Sequence, residues 1–225
     1  LLRRKREALV VELFRLARPA ASAGESILDR AAAAYPALLE ALAQVKPKAV
    51  GLDVVLPERS YDSVAKGYDL ELTRGLIAGS RAYPLVIGIT IDSNGSTRPI
   101  LPTFLVAAGA GAPGFILWRV DTDNVVRHFD EHLDKRGMRV PTFAGQIARK
   151  LGREPGSGII DFSLGPAFQY VPMHSLLEAY RQGQAARYRA QLEGKIVLVG
   201  PVFRLEDRKL QPVLLAGWET EKDKH

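Results

Sequence analysis

The sequence predicts a single mixed α/β domain, in which a mostly parallel sheet is flanked by helices and interrupted by an antiparallel hairpin. Segments with helical spacing alternate along the chain with short, continuously apolar runs, which are typical of strands covered on both faces of a parallel sheet. A middle stretch of β-branched residues and turns instead favours antiparallel pairing. Since 225 residues suffice for one large core and no internal repeat occurs, we expect one domain.

The first half of the chain contains two alternations of helix and strand. Residues 27–44 have the leucine spacing of an amphipathic helix, and the pair Lys46-Pro47 ends it. The run AVGLDVVL at 49–56 predicts a buried strand. A second helix is predicted at 68–78, and a second buried strand, PLVIGITI, at 84–91.

The second half begins with a segment of predicted antiparallel strands, whose turns are marked by aspartate, asparagine and glycine. Helices and strands then alternate again. Thr142 is a suitable N-cap for the helix that follows this antiparallel segment, and Gly152 a suitable stop. The predicted elements are a short helix at 104–108, antiparallel strands at 115–118 and 124–129 around the turn 121–124, a strand at 138–140 that pairs with the latter through 134–137, a helix at 142–151, a strand at 158–163, a helix at 174–189 and a last buried strand at 195–199.

Composition and charge exclude several classes of protein. The chain has no cysteine, which excludes a disulfide framework, a zinc finger, an iron–sulfur cluster and a thiol nucleophile. Of the net charge of +6, residues 1–18 carry +4, so the rest of the chain is nearly neutral. Nucleic-acid binders usually place basic and stacking aromatic residues on the folded body, so we expect no nucleic-acid partner.

The longest uncharged stretch, residues 99–118, has the length of a membrane span but not its composition. Its six proline and glycine residues would break a helix repeatedly and leave backbone groups that lipid cannot satisfy. No signal-peptide pattern opens the chain. We therefore expect a soluble piece and, because the chain does not begin with Met, a segment of a longer protein.

Two short motifs match known ligand sites but lie in the wrong context. Residues 109–114 match the dinucleotide-binding G-x-G-x-x-G, yet they lead into a predicted strand and not a helix. Residues 128–132 match the zinc-protease pattern H-x-x-E-H, yet their β-branched and aromatic neighbours predict a hairpin arm where such a site needs a long helix. We interpret the first as a turn and the second as exposed charges, and we expect no cofactor and no metal.

Acids near strand ends are the remaining polar candidates, because neither G-x-S-x-G nor the phosphate-binding G-x-x-x-x-G-K-[ST] occurs. Asp53, Asp92, Asp161 and Asp207 lie in or just beyond predicted buried strands. Open α/β sheets bind ligands in the crevice beyond the carboxyl ends of their strands. Aspartate at such positions also commonly caps a turn or helix, so a structural role stays open.

Several segments of the chain, taken in their order, resemble those of a known family. They are the helix and strand at 35–42 and 48–56, the acidic helix start at 69–72, the turn DTDNVVR at 121–127, the segment YVPMHSLL at 170–177, and LEGKIVLVG at 192–200 followed by Asp207 and Pro212. Together they resemble the type-2 CHASE family of sensory extracellular domains over about residues 27–214. The turn resembles the family's D-x-D-G-V-x-R, with Asn124 in place of glycine.

The front of the chain departs from this family, which usually begins with a strand carrying an I-D pair and then a W-P-W-P-R-like segment. Residues 10–13 and 28–30 are poor substitutes. Residues 7–17 have a helical composition but contain Leu9-Val10-Val11, so a helix and a strand both stay open. We therefore divide the chain into a basic linker or N-terminal helix or strand at 1–26, a sensor domain at 27–214 and a C-terminal tail at 215–225.

The resemblance implies a non-catalytic sensory domain on the extracytoplasmic (periplasmic) side of a bacterial membrane receptor. In such receptors, transmembrane helices join the domain to a cytoplasmic output such as a histidine kinase, a nucleotide or diguanylate cyclase, or a Ser/Thr kinase. The expected partners are an unidentified small-molecule or protein stimulus, a second copy of the chain in a homodimer, and the membrane through flanking helices. The basic residues of 1–18 would then lie near anionic head groups.

Six polar residues are our candidates for ligand-facing or structural groups: Asp53, Asp69, Asp121, Asp123, Arg127 and Asp207. Arg127 is expected to brace the turn through charge-assisted hydrogen bonds to Asp121 and Asp123. We assign no catalytic residue. The alternative function is a soluble α/β hydrolase or transferase that uses the same acids, with a divalent cation held by oxygen ligands.

Overall fold

A computed structural model describes residues 8–12, 27–63, 65–92, 94–135, 138–161 and 169–200. The helices are α1 (Ile27–Val45), α2 (Tyr68–Ala82), α3 (Pro102–Ala108), α4 (Phe143–Lys150), α5 (Met173–Arg181) and α6 (Arg189–Leu192), with a 3₁₀ turn at Ala185–Tyr188. The strands are β1 (Ala8–Glu12), β2 (Ala49–Val55), β3 (Leu85–Ile89), β4 (Pro113–Phe115), β5 (His128–Phe129), β6 (His132–Lys135), β7 (Met138–Pro141), β8 (Gly158–Ile159), β9 (Gln169–Pro172) and β10 (Ile196–Gly200). Among these helices, none has the length and apolar character that crossing a bilayer requires.

Six of the strands form one parallel sheet in the order β4-β3-β2-β10-β1-β9. The strand β10 is central, because Val197 is in register with Val50 of β2 on one side and with Leu9 of β1 on the other. Every residue of β3 is buried, as the continuous apolar run at 84–91 predicts. The predicted mixed α/β class with a mostly parallel sheet is therefore confirmed.

The helices α1, α2, α3 and α5 form a layer on one face of this sheet, in which α1 packs against α2 and α5, and α2 packs against α3. Four crossovers, β1–β2, β2–β3, β3–β4 and β9–β10, step across the sheet in the same direction. Right-handed crossovers in one direction place their helices on one face. The core beneath them includes the fully buried side chains Leu38, Leu39, Leu42, Leu52, Leu72, Leu76, Leu85, Ile87 and Phe104.

The helix α4 packs across β2, β3 and β4 and belongs to a separate apolar cluster with Ala49 and Val86. An added Cβ at Gly51 of β2 would lie 2.7 Å from Cζ of Phe143 and 2.9 Å from Cδ1 of Ile147. The absence of a side chain at Gly51 therefore permits this close approach. The predicted cap is confirmed, because the Thr142 hydroxyl accepts a hydrogen bond from the Gly145 amide at 3.1 Å.

The antiparallel segment is present, but its strands pair differently from the prediction. The segments 115–118 and 124–129 do not pair with each other: β4 joins the parallel sheet through Phe115, and β5 pairs with β8. The predicted hairpin at 138–140 exists, but its first strand is β6, not 124–129. Strands of two to four residues leave too short a pattern for the sequence to specify their partners.

Two more boundaries differ from the prediction. A strand was expected at 158–163, but β8 ends at Ile159 and lies outside the main sheet, while residues 162 and 163 lie outside the described residues. The predicted helix at 174–189 is broken, because α5 ends at Arg181 and the 3₁₀ turn and α6 follow it. Gly183 has a φ of +69°, a left-handed conformation that ends helices and that glycine adopts without strain.

The front of the chain contributes β1, so the strand alternative for residues 7–17 is confirmed at Ala8–Glu12. This strand lies between β10 and β9 and runs parallel to both. One strand of the main sheet therefore precedes residue 27, where the sequence placed the start of the sensor domain.

Candidate functional site

A partly open pocket lies at the carboxyl edge of the parallel sheet. It is lined by Asp53 of β2, Phe115 of β4, and Thr142, Phe143 and Ala144 around the start of α4. The other lining residues belong to residues 116–141, which we call the arm: Ile116, Leu117, Trp118, Arg119, His128, Phe129, Asp130 and Leu133. This edge is where parallel α/β sheets commonly bind ligands.

The arm is held against α4 through Thr142. The Thr142 amide donates to the carbonyl of Glu131 at 2.9 Å, and its hydroxyl donates to the carbonyl of Asp130 at 2.5 Å. Thr142 also forms an isolated bridge to Phe115 at the end of β4. Close packing continues at Gly145, where an added Cβ would overlap the carbonyl oxygen of Glu131. These contacts, together with those of Arg149 in α4 to Glu131 and His132, hold the arm over the pocket.

The pocket is predominantly apolar, and two of its aromatic residues are well exposed. Trp118 is 59% exposed and Phe129 is 44% exposed. The ring of Phe129 packs on Gly158 of β8, where an added Cβ would lie 3.2 Å from Cε1 and Cζ. Exposed aromatic side chains beside a concave apolar surface are typical of a ligand or partner site.

Besides Thr142, four polar side chains line the pocket: Asp53, Arg119, His128 and Asp130. Arg119 and Asp130 form a loose ion pair with 3.9 Å between Nη1 and Oδ1. Asp53 packs against the last residue of β10, because an added Cβ at Gly200 would lie 3.0 Å from the Cβ of Asp53. Asp53 therefore lies in the strand-end crevice, where the sequence analysis placed it.

The turn with Asp121, Asp123 and Arg127 adjoins this pocket. Arg127 Nη1 donates to Asp121 Oδ2 at 2.9 Å and to Asp123 Oδ1 at 2.8 Å, while its Nη2 donates to Asp123 Oδ2 at 2.6 Å. His128 Nδ1 lies 3.2 Å from Asp121 Oδ1. Asn124 adopts a φ of +63°, a conformation that asparagine tolerates better than most residues, so it can replace the glycine of the family pattern. The expected bracing of the turn by Arg127 is confirmed.

This bracing shifts the titration of the groups involved. The hydrogen bonds from Arg127 lower the pKa of Asp123 from 3.8 to about 2 and also lower the pKa of Asp121. The same bonds raise the pKa of Arg127. Because the folded state holds the Asp123 carboxylate at a depressed pKa, its contribution to stability is present above about pH 3.8 and is lost as the pH falls through about 2.

Replacing Arg127 by glutamine is expected to return the pKa of Asp123 toward 3.8, since the charge-assisted hydrogen bonds that lower it are removed. The measurement is a carboxyl ¹³C NMR titration of the wild type and of Arg127→Gln. Arg139→Gln is the matched control, because Arg139 pairs with Glu131 at 2.9 Å and does not contact this turn. An Asp123 pKa that is the same in the wild type and in Arg127→Gln would contradict the assignment.

The other acidic candidates hold local turns or lie elsewhere. The Asp69 carboxylate accepts from the Tyr61 amide at 2.9 Å, and its own amide donates to Asp62 Oδ1 at 2.9 Å, so Asp69 orders the loop before α2. Asp92 accepts from the amides of Asn94 and Ser96. Asp161 follows β8 outside the main sheet. Asp207 lies outside the described residues. None of Asp69, Asp92 and Asp161 lines the pocket described above.

The first motif match has the structure that its sequence context predicts, whereas the second lies on short strands but its charges are not exposed as expected: the side chains of His128, Glu131 and His132 are 29%, 20% and 19% exposed. Gly109 and Gly111 adopt positive φ values in the turn between α3 and β4, and this turn leads into a strand. His128 and His132 lie in different short strands, with His132 beside Glu131 at 3.2 Å and Arg149 Nη2 at 2.6 Å from its Nε2. Within the part of the chain that the structure describes, no three His, Cys, Asp or Glu residues come together as a metal site.

Sequence reasoning missed Trp118, Arg119, Phe129 and Asp130 as pocket residues. Trp118 and Phe129 were assigned to paired strands, where exposed and buried side chains alternate, so nothing marked them as neighbours of Asp53. Only the arm's path between β4 and α4 brings them to this edge of the sheet. In the sequence, only the tryptophan that is followed directly by an arginine, next to the turn at 121–124, could have indicated a binding residue.

The comparisons with known proteins give one match. The family model described as CHASE2 domain matches residues 20–219 of the chain. Neither the curated proteins nor the solved structures contain a match.

Proposed function

Because the chain belongs to the CHASE2 family of sensory extracellular domains, which generally occur in signalling receptors, we propose that it is the extracytoplasmic sensor of a bacterial transmembrane receptor. The proposed output is a cytoplasmic domain such as a histidine kinase or a nucleotide cyclase, joined to the sensor by membrane-spanning segments. The single observation that carries this proposal is the family match over residues 20–219.

The pocket at the carboxyl edge supports a role in ligand perception. It is mainly apolar, with a few convergent polar groups and two exposed aromatic side chains, which is the usual make-up of a small-molecule site. A stimulus in this pocket would act by favouring one of two arrangements of the domain or of its homodimer, since a ligand shifts an equilibrium only through different affinities for the two states.

A direct contact leads from the pocket to the central strands. Asp53 packs against Gly200 at the end of β10, and β10 is paired along its length with β1. These neighbouring strands come from opposite ends of the described chain. A shift of Asp53 on binding would therefore act on the segments through which the domain connects to the rest of a receptor.

Enlarging a pocket residue is expected to change the basal output of the full-length receptor. Ala144 is exposed and lines the pocket, so Ala144→Phe occupies space there without removing a core contact. We expect the output, measured as autophosphorylation or cyclic nucleotide synthesis, to change by about fivefold or more, the lower end of usual coupling between sites.

The matched control is Ala82→Phe, which adds the same ring to an exposed alanine at the end of α2. This variant should retain the wild-type output. If Ala144→Phe and Ala82→Phe both behaved as wild type, the proposal that the pocket is coupled to the output would be contradicted.

A further inference from the structure

The charged pair in the pocket has hydrogen-bonding capacity that the described part of the protein does not use. Arg119 and Asp130 face each other at 3.9 Å, which is longer than a hydrogen bond. Among the described residues, this is the only partner of the Arg119 guanidinium and of the Asp130 carboxylate. The Arg119 side chain is 56% exposed, whereas that of Asp130 is only 14% exposed.

A carboxylate that is largely removed from water without a hydrogen bond is costly, and the cost falls when a ligand donates one. An exposed guanidinium offers a planar fork that suits a carboxylate in two-point contact. The pair therefore presents an acceptor for a cationic group beside a donor for an anionic group.

Apolar side chains adjoin this pair. Phe115, Leu117, Leu133 and Phe143 line the same pocket, together with the exposed rings of Trp118 and Phe129. Burial of an apolar group against these side chains would add affinity beyond that of the charge contacts, since the contact to the exposed Arg119 contributes little by itself.

We propose that the pocket binds a small zwitterion with an apolar side chain, the chemical class of apolar α-amino acids. The ammonium group donates to Asp130, the carboxylate accepts from Arg119, and the side chain packs against the aromatic wall. This proposal rests on the proposed sensory function and names the ligand class of that same pocket.

The pairing of opposite charges distinguishes this class from simpler ligands. An amine without a carboxylate offers Arg119 no new partner, and a carboxylate without an amine offers the Asp130 carboxylate no new donor. A zwitterion without a side chain meets the charges but leaves the apolar wall uncovered. Only a ligand with all three parts uses every group on which the proposal rests.

The test is isothermal titration calorimetry of the 225-residue chain at neutral pH with four probes: L-phenylalanine, phenethylamine, 3-phenylpropanoate and glycine. L-Phenylalanine should bind saturably and about 10- to 100-fold more tightly than either one-charge analogue, as expected for one hydrogen-bonded charge contact. Glycine should bind more weakly than L-phenylalanine by at least a similar factor, because it buries no side chain.

Two variants test the assigned contacts separately. Arg119→Gln should lower the affinity for L-phenylalanine to that for phenethylamine and leave phenethylamine binding unchanged. Asp130→Asn should lower it to that for 3-phenylpropanoate and leave 3-phenylpropanoate binding unchanged. The matched controls Arg153→Gln and Asp134→Asn are exposed and do not line the pocket, so they should bind L-phenylalanine as the wild type does.

The ligand class is overturned if L-phenylalanine gives no saturable binding, if a one-charge analogue or glycine binds as tightly, or if both pocket variants keep the wild-type affinity. The comparison of probes on the wild type needs no folded variant. These outcomes concern the ligand alone, because the coupling of the pocket to a receptor output is tested independently by Ala144→Phe.

Discussion

Replacing Phe104 by alanine is expected to lower the free energy of unfolding by about 3–5 kcal/mol, the usual cost of deleting a buried ring. Phe104 is fully buried and is the largest of the fully buried side chains in the core under the helical layer. It belongs to α3, a helix of only seven residues, so α3 depends on this contact more than a long helix would. The measurement is chemical denaturation followed by circular dichroism.

The same helix offers a matched control. Val106 is 81% exposed, so Val106→Ala in α3 should change the free energy of unfolding by less than about 0.5 kcal/mol. Similar losses for Phe104→Ala and Val106→Ala would contradict the packing of α3 on the core.

Replacing Gly145 by alanine is expected to displace the arm from α4 and to destabilise the domain by about 1–3 kcal/mol. The added Cβ would overlap the carbonyl oxygen of Glu131 and lie 2.9 Å from its Cα, and both atoms belong to the backbone, which cannot rotate away. Alanine favours the helix more than glycine does, so any loss must come from the contacts of the added Cβ with Glu131 and with Thr142 Oγ1, which would lie 2.9 Å away. Amide hydrogen exchange should show faster exchange in residues 128–134 together with a lower melting temperature.

Gly156→Ala controls for the loss of a glycine, because an added Cβ there has no atom within 4 Å. It should be neutral or slightly stabilising. If Gly145→Ala kept wild-type stability and arm protection, the seating of the arm on α4 would be wrong, and the pocket between them would lose its outer wall.

The parallel core could be predicted from the sequence because its physical requirements are local. A strand that is covered on both faces needs an unbroken apolar run, and the runs at 49–56 and 84–91 supply it. The residues from Ala49 to Leu52 and all five residues of β3 are buried. The strand β1 was harder to predict, because Leu9-Val10-Val11 is a short apolar run within a segment of helical composition. Only its pairing with β9 and β10 determines its structure.

The arm could not be predicted in the same way, because its pairing is long-range. His128 pairs with Ile159 across a gap that contains α4, and no local pattern selects that partner over the nearby residues 115–118. The pocket shows the same limit. Asp53 was predictable because it is the single acid in the apolar run at 49–56, whereas Arg119 and Asp130 become neighbours only after the arm has folded over the carboxyl edge.

The most direct test of the sensor account is the side of the membrane on which the domain lies. The chain contains no cysteine, so a single introduced cysteine reports on this domain alone once any cysteine elsewhere in the full-length protein is replaced by serine. Glu154→Cys places a thiol at an exposed position, and Ala41→Cys places one at a fully buried position as the control.

The measurement is labelling of intact cells by a membrane-impermeant maleimide. We expect Glu154→Cys to be labelled in intact cells and Ala41→Cys to be labelled only after denaturation. Labelling of Glu154→Cys only after the cells are lysed would place the domain in the cytoplasm and contradict the account.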